Sequence, residues 1–468
     1  MSKAVSKVRE ARLELYRSKG TIHAKAVAGR FNTARWIMVW LTQIIFYGGC
    51  WLRWDTGEGV RQAILFDIVH EKLYLFGLVL WPQDALLLAF MLILAATALF
   101  FVTALAGRLF CGFACPQTVY TSIFVWIEAR VEGDHLARLK LDRSPMSARK
   151  LATKAVKHGI WALVAIWTAI TFVGYFTPIR ELLPSVAALQ TGPWESFWLI
   201  FYASFTYVQA GLAREAVCQH MCPYSRFQGV MIDGATASVG YEHRRGEPRG
   251  ALRHAGSTGD CIDCGICVQV CPTGIDIRDG LQYQCINCGL CVNGCNQVMD
   301  KLGAPRGLIR LASENELAGA PKRAGEGKGR RGPGPRVLVY AGLLLLFSVL
   351  SVWTLSQRST LRVNVLRDRG LLSRETAEGR IENDYTLKLI NMEEAVRTFR
   401  VEVVGLPDLK IEGGSEFTVG PGSIHTVPLV VSSPAEAAPA GARPIEFHTA
   451  AVHDAGTASR EKSRFILP

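Results

Sequence analysis

The chain has 468 residues, a formal charge of +12 and 49% hydrophobic residues, with 11 Trp and 13 Cys. That length and apolar content exclude a small disulfide-stapled secreted scaffold and suit several domains, part of them in a membrane. The positive charge does not call for nucleic acid, because Lys and Arg cluster beside apolar segments, where the positive-inside rule accounts for them.

Residues 1–35 form a basic segment without the early apolar core of a cleavable signal, so the first apolar segment is expected to be a retained anchor. Five segments have the length and apolarity of transmembrane helices: Trp36–Leu52, Ala85–Ala106, Gly159–Phe176, Trp194–Leu212 and Val337–Leu355. Leu73–Trp81 is too short to span and reads as an interfacial or re-entrant piece. The segment before helix one carries Lys25, Arg30 and Arg35, and the loop after helix two carries Arg108, Arg130, Arg138, Lys140 and Lys150. The first outer loop has only Arg53, Arg61 and Lys72, and the loop before helix four only Arg180. This asymmetry predicts a cytoplasmic N-terminus, a four-helix membrane domain over 36–230 and a return to the cytoplasm.

The cysteine-rich segment 255–300 then lies inside. A Gly/Pro-rich basic linker over 301–336 leads to the fifth helix, 337–356, which carries the chain to the periplasm of a bacterial inner membrane. Over 360–468 the pattern changes to short alternating runs, Tyr385–Ile390, Phe399–Val404, Val427–Ser432 and Ile445–Thr449, separated by turn residues. These predict an immunoglobulin-like β-sandwich. The fold class expected is therefore multi-domain: a helical membrane bundle, a dicluster ferredoxin-like α+β domain and an all-β sandwich.

The strongest signal is a repeat. CIDCGICVQVCPTGI begins at Cys261 and CINCGLCVNGCNQVM at Cys285, both with C-x2-C-x2-C-x3-C spacing. In two-cluster ferredoxins the fourth cysteine of each run ligates the other cluster. One [4Fe–4S] cluster is thus expected on Cys261, Cys264, Cys267 and Cys295, and a second on Cys285, Cys288, Cys291 and Cys271. Zinc prefers separated C-x2-C pairs, so this doubled spacing disfavours it. The second run lacks the proline that follows Cys271, a departure that touches geometry rather than ligation.

A second signal is a pair of C-x3-C-P motifs, Cys111/Cys115 and Cys218/Cys222, each after a membrane helix. On a continuing helix, i and i+4 sulfurs share a face. Four thiols meeting at the cytoplasmic membrane edge can hold a third cluster, bind a soft metal such as Cu(I), or cycle between dithiol and disulfide. His220 and Met221 can add ligation, although packing explains each alone. Cys50 reads as a small hydrophobe. His70 with Glu71 reads as a solvated loop, with metal or proton binding the sharper alternative.

GRLFCGFACPQTVYTSIFVWIE, CQHMCPYSRFQGVM, the dicluster run and GLIRLASENE together resemble the CcoG/FixG/RdxA family of accessory proteins for cbb-type cytochrome c oxidase. The resemblance runs end to end. It implies reduction of Cu(II) to Cu(I) ahead of oxidase assembly. Cys111, Cys115, Cys218 and Cys222 would then be the site of copper binding or reduction, and the eight ferredoxin cysteines the electron carriers. Copper-delivery or oxidase-assembly proteins would be partners, and the sandwich a docking module. Two other functions compete: a quinol-linked electron-transfer subunit for a partner reductase, and a non-enzymatic redox sensor signalling through the β-domain.

Overall fold

The computed structural model describes residues 22–56, 59–250, 259–318, 334–368, 373–452 and 454–468. The basic residues before 22 and residues 319–333 of the basic linker lie outside the described residues. The chain divides into two compact units. One comprises Met1–Gly48, Ala95–Val173 and Leu183–Leu344. The other comprises Gly49–Leu94, Gly174–Leu182 and Leu345–Pro468.

The helices of the first 231 residues are α1 (Arg30–Gly49), α2 (Ala85–Ala106), α3 (Leu109–Phe113), α4 (Pro116–Val131), α5 (His135–Arg143), α6 (Ala148–Val173), α7 (Ile179–Ala187), α8 (Pro193–Tyr207) and α9 (Pro223–Met231). A further helix spans Pro335–Ser356. Its 22 residues reach about 33 Å at 1.5 Å per residue, enough for a bilayer core of about 30 Å. The helix α2, ALLLAFMLILAATALFFVTALA, carries no charge. Leu86, Leu88 and Leu92 on it, and Leu345, Val352 and Trp353 on the later helix, are exposed, which is the side-chain distribution of helices solvated by lipid.

Each of the five expected spans is helical. Among the described residues, four helical stretches are long and apolar enough to cross a membrane: Pro82–Ala106, Leu109–Val131, Ala148–Val173 and Pro335–Ser356. The set differs from the expected five. The helix α1 begins with Arg30 and Arg35, and α8 ends after 15 residues in a π-helical stretch, Val208–Ala213. The stretch Leu109–Val131 joins the set, although the backbone breaks within it at Cys115.

The second unit holds the sandwich. One sheet orders Lys410–Glu412, Ile424–Pro434, Arg380–Asn391 and Leu361–Arg367, and the other orders Glu416–Val419, Arg397–Val404, Gly441–Ala451 and Asp454–Leu467. Period-two burial along Arg380–Asn391 sends Ile381, Tyr385, Leu387 and Leu389 inward, against Phe399, Phe447 and Phe465 of the facing sheet. All four strands read from alternation lie within observed ones. The long final strand has too few apolar residues to announce itself.

Leu73–Trp81 is not re-entrant. Ile64–Asp67, Lys72–Leu75 and Leu78–Leu80 form a three-stranded antiparallel meander in the same unit as the sandwich. Val79 and Trp81 are buried against Ile390 and Met392, so their apolarity serves protein packing and not lipid. Ion pairs of Arg61 with Glu394 (2.7 Å) and Arg358 with Asp84 (2.8 Å) add to that contact.

The buried Asn383 joins the two sheets. Its Nδ2 donates to the Ile466 carbonyl at 2.9 Å, and the Ile466 N–H donates to its Oδ1 at 2.9 Å. Asn383→Ala takes these partners from both half-buried Ile466 groups and should destabilise the sandwich by about 1–3 kcal/mol. Thermal unfolding of the full chain, followed by β-sheet circular dichroism, measures it; an unchanged midpoint would refute the cross-sheet role.

Candidate metal centre

The two ferredoxin runs repeat in geometry as well as in sequence. Asp263 and Asn287, the second intervening residue of each first C-x2-C, have φ of 53° and 56°. Gly265 and Gly289, which follow, have φ of 65° and 70° and cap helices Ile266–Gln269 and Leu290–Leu302. Asn, Asp and Gly are the residue types that enter this left-handed region at low cost. The sequence CI(D/N)CG is therefore a backbone instruction to coil around something.

The two runs lie side by side, the fourth cysteine of each near the first three of the other. The Cys295 thiol is pushed up to about 12 by burial and by the nearby Cys267, Cys264 and Cys261. The Cys291 thiol is raised by burial and then by Cys288, Cys285, Cys271 and Cys267. Each run's last cysteine thus lies beside the first three of the other run. A cavity is walled by Cys267, Cys271, Cys285, Cys288 and Cys291.

Burial pushes the Cys285 thiol up to about 12 and the Cys267 thiol up to about 11. Thiols so placed stay protonated at neutral pH unless a cationic group displaces the protons, as coordinated iron does. The donor set therefore fits a metal group. Among the described residues, no three His, Cys, Asp or Glu side chains come close enough to share one ion.

The C-x3-C-P motifs are not on continuing helices, contrary to expectation. Cys111 lies in α3, but Cys115 is an extended N-cap (φ −62°, ψ 129°) with Pro116 opening α4. Cys218 lies in a π-helical turn, Val217–Met221, and Cys222 is an extended N-cap (φ −78°, ψ 111°) with Pro223 opening α9. Proline stops the first helix and starts the second, since it lacks the N–H a helix interior needs.

The correspondence between the motifs goes further. Thr118 and Ser225, each three residues after the second cysteine, donate to the carbonyls of Cys111 (2.6 Å) and Cys218 (2.7 Å). Gly107 and Arg214, each four residues before the first cysteine, have φ of 55° and 41°. The two segments are one structural unit used twice. They meet: Cys115, Cys218 and Cys222 all lie within electrostatic reach of Cys111. His220 and Met221 are exposed, so neither is a packing residue. Cys50 is buried, as a small hydrophobe would be. His70 pairs with Asp67 (2.7 Å) within an exposed turn, not with Glu71.

The first motif packs directly on the second ferredoxin run. A Cβ on Gly112 would lie 2.6 Å from the Ile286 carbonyl and 3.0 Å from the Cys288 Cα. Arg108, buried between the segments, donates to the carbonyls of Ser225 (2.7 Å) and Tyr283. The Cys111 thiol donates to Oε1 of the buried Gln228 at 3.2 Å.

Sequence reasoning missed Arg108, Gln228 and an ion network behind the second motif. Arg214 Nη2 contacts Glu128 at 2.6 Å, and Lys157 and Arg138 each approach that carboxylate at 3.5 Å. All four are buried. A carboxylate inside an otherwise apolar helix was the available signal, since such a charge is costly unless paired.

Three family descriptions match this chain: a 4Fe-4S dicluster domain over residues 213–314, a 4Fe-4S binding domain over 88–132, and the Ig-like fold at the C-terminus of FixG over 351–468. The second contains Cys111 and Cys115. Nitrogen fixation protein FixG of Rhizobium meliloti is 36% identical, covering 89% of this chain and 87% of FixG. Protein RdxA of Cereibacter sphaeroides is 38% identical, covering 91% and 92%, and its RdxB is 37% identical, covering 88% and 87%. Apolar helices, cysteine quartets and these matches define a membrane-associated iron–sulfur electron-transfer protein. The chain belongs to the FixG/RdxA family.

Glu128→Gln removes the negative charge that compensates Arg214 and should cost about 3–5 kcal/mol. The double variant with Arg214→Gln should cost less than the sum of the two singles. Thermal unfolding in detergent measures both; additive losses would show that the pair does not act as a unit.

Proposed function

We propose that this protein reduces Cu(II) to Cu(I) at the Cys111/Cys115/Cys218/Cys222 site, with electrons drawn from two [4Fe–4S] clusters, in support of cbb-type cytochrome c oxidase assembly. Cys261, Cys264, Cys267 and Cys295 hold one cluster, and Cys285, Cys288, Cys291 and Cys271 the other. The observation that carries this reading is the packing of Gly112 on the Cys288 backbone, which puts the C-x3-C-P thiols next to the second quartet. Low-potential clusters supply one electron at a time. Each Cu(II) takes one electron, and soft thiolates favour the Cu(I) that results.

The chain sits in a bacterial inner membrane with its N-terminus and clusters in the cytoplasm and its sandwich in the periplasm. Two facts support this. The basic loops flank one set of helix ends. The loop expected outside after helix one, the first part of the loop before helix four and the chain beyond Leu355 fall in one compact unit, together with the adjoining ends of two expected spans. Copper-delivery and oxidase-assembly proteins are its partners in this reading, with the sandwich as their docking module.

One observation favours a second reading, in which the C-x3-C-P thiols hold a third cluster. The 4Fe-4S binding domain match over 88–132 includes Cys111 and Cys115.

Metal counting on anaerobically purified protein separates the two. Copper reduction predicts about eight irons per chain, with Cu(I) formed when Cu(II) meets the dithionite-reduced, desalted protein before a Cu(I)-specific chelator. Serine at all four C-x3-C-P positions should abolish Cu(I) formation and leave the iron count unchanged. About twelve irons, falling to about eight in that variant, would support the third cluster. Cluster reoxidation without chelated Cu(I) would sink the copper reading. Gly112→Val should slow Cu(I) formation at unchanged iron content, because its side chain forces the motif away from Cys288.

A further inference from the structure

A cavity of about 330 Å³ lies between α1, α4, α6 and α8, inside the helical unit. Its wall includes Ala114 and Pro116, the two neighbours of Cys115. Aromatic rings of Phe46, Phe172, Tyr202 and Phe205 form much of the rest. No Lys, Arg, His, Asp or Glu lines it, so a phosphate headgroup or other anion finds no counter-charge there.

Two polar groups facing this space lack partners. Gln43 is 7% exposed, yet its Oε1 accepts no hydrogen bond. The Tyr120 hydroxyl lies among the side chains of Tyr47, Thr168 and Gln43 and closes no hydrogen bond of good geometry with any of them. A buried carbonyl and a buried hydroxyl without partners are unfavourable, and an acyl chain would leave them so. The ligand that satisfies both is a flat apolar ring carrying hydroxyl or carbonyl oxygens. A second apolar groove of about 840 Å³, lined by Trp36, Trp40, Ile44, Trp126, Leu163 and Trp167, shares Gln43 with the cavity and can take a long apolar tail.

We propose that this cavity binds the ring of a lipid-soluble quinol, with the tail in the adjoining groove, and that the quinol is the electron donor to the Cys115 site. The quinol hydroxyl donates to Gln43 Oε1, and the Tyr120 hydroxyl donates to a ring oxygen. The proposal rests on the redox role of the C-x3-C-P thiols. One quinol becomes one quinone, giving two electrons and two protons. The electrons pass singly to two Cu(II) ions taken in turn at the thiols, and the protons leave to water.

The test uses the full chain in phospholipid nanodiscs, without copper. Decylubiquinone, whose carbonyl can accept from Tyr120, should quench tryptophan fluorescence saturably, and decylubiquinol, which can also donate to Gln43 Oε1, should displace it. A photoreactive azidoquinone should label peptides containing residues 114–120 or 202–210. Excess decylubiquinone should compete with that label, and excess phospholipid should not. The Gln43→Leu, Tyr120→Phe double variant should bind about tenfold more weakly or worse, with its cluster absorbance intact. Unsaturable quenching, a label displaced by phospholipid, or unaltered binding by the double variant would each overturn the proposal. Should that variant lose its clusters, the competition on wild-type protein decides alone. Loss of quinone binding leaves dithionite-driven Cu(I) formation untouched, and failure of the copper reading leaves quinone binding untouched, so the two ideas fall separately.

Discussion

The carbonyl of Ile286 lies only 2.6 Å from where residue 112 would carry a Cβ, and the organisation of the metal centre depends on that contact. Glycine there lets the first C-x3-C-P segment lie against the backbone that carries Cys288. The segment is anchored on its other side by Arg108, whose guanidinium holds carbonyls from both the second motif and the ferredoxin region. Three stretches far apart in the chain are thereby drawn to one place. Electron transfer needs such proximity, and a side chain at position 112 would push the partners apart.

Repetition is the second organising fact, at two scales. The ferredoxin runs share left-handed residues at the same positions, which turns the backbone around each quartet. The C-x3-C-P segments share a left-handed residue, an extended N-cap cysteine, a proline at the first helical position and a hydroxyl that returns to the first cysteine's carbonyl. The copies differ where it is informative. Gly107 takes its positive φ freely. Arg214 does so against its side chain and is held there by Glu128. A strained, buried arginine four residues before Cys218 ties the second motif to an ion network among α4, α5 and α6.

Apolarity in this chain has two destinations. The helix Pro335–Ser356 turns its large side chains outward, into lipid. Leu73–Trp81 is comparably apolar over its few residues, yet it forms strands that bury Val79 and Trp81 on the sandwich. Composition alone does not separate these cases. Length does for the helix, because only a long run crosses a bilayer, and the packing partner does for the strands.

The sequence by itself determined the chemistry. Cysteine spacing pointed to iron–sulfur clusters, because the doubled C-x2-C-x2-C-x3-C run is that of two-cluster ferredoxins, in which the fourth cysteine of each run serves the other cluster. Alternation specified the buried strands of the sandwich, because a two-residue period leaves one face apolar. Only tertiary structure decided the rest. The final strand, Asp454–Leu467, is mostly polar and exists because it pairs with Gly441–Ala451. The break at each C-x3-C-P motif needed the backbone to show that proline opens a new helix there and does not merely end the old one. Arg108, Gln228, Gln43 and Tyr120 carry no local signature, because their roles are set by what other segments place opposite them.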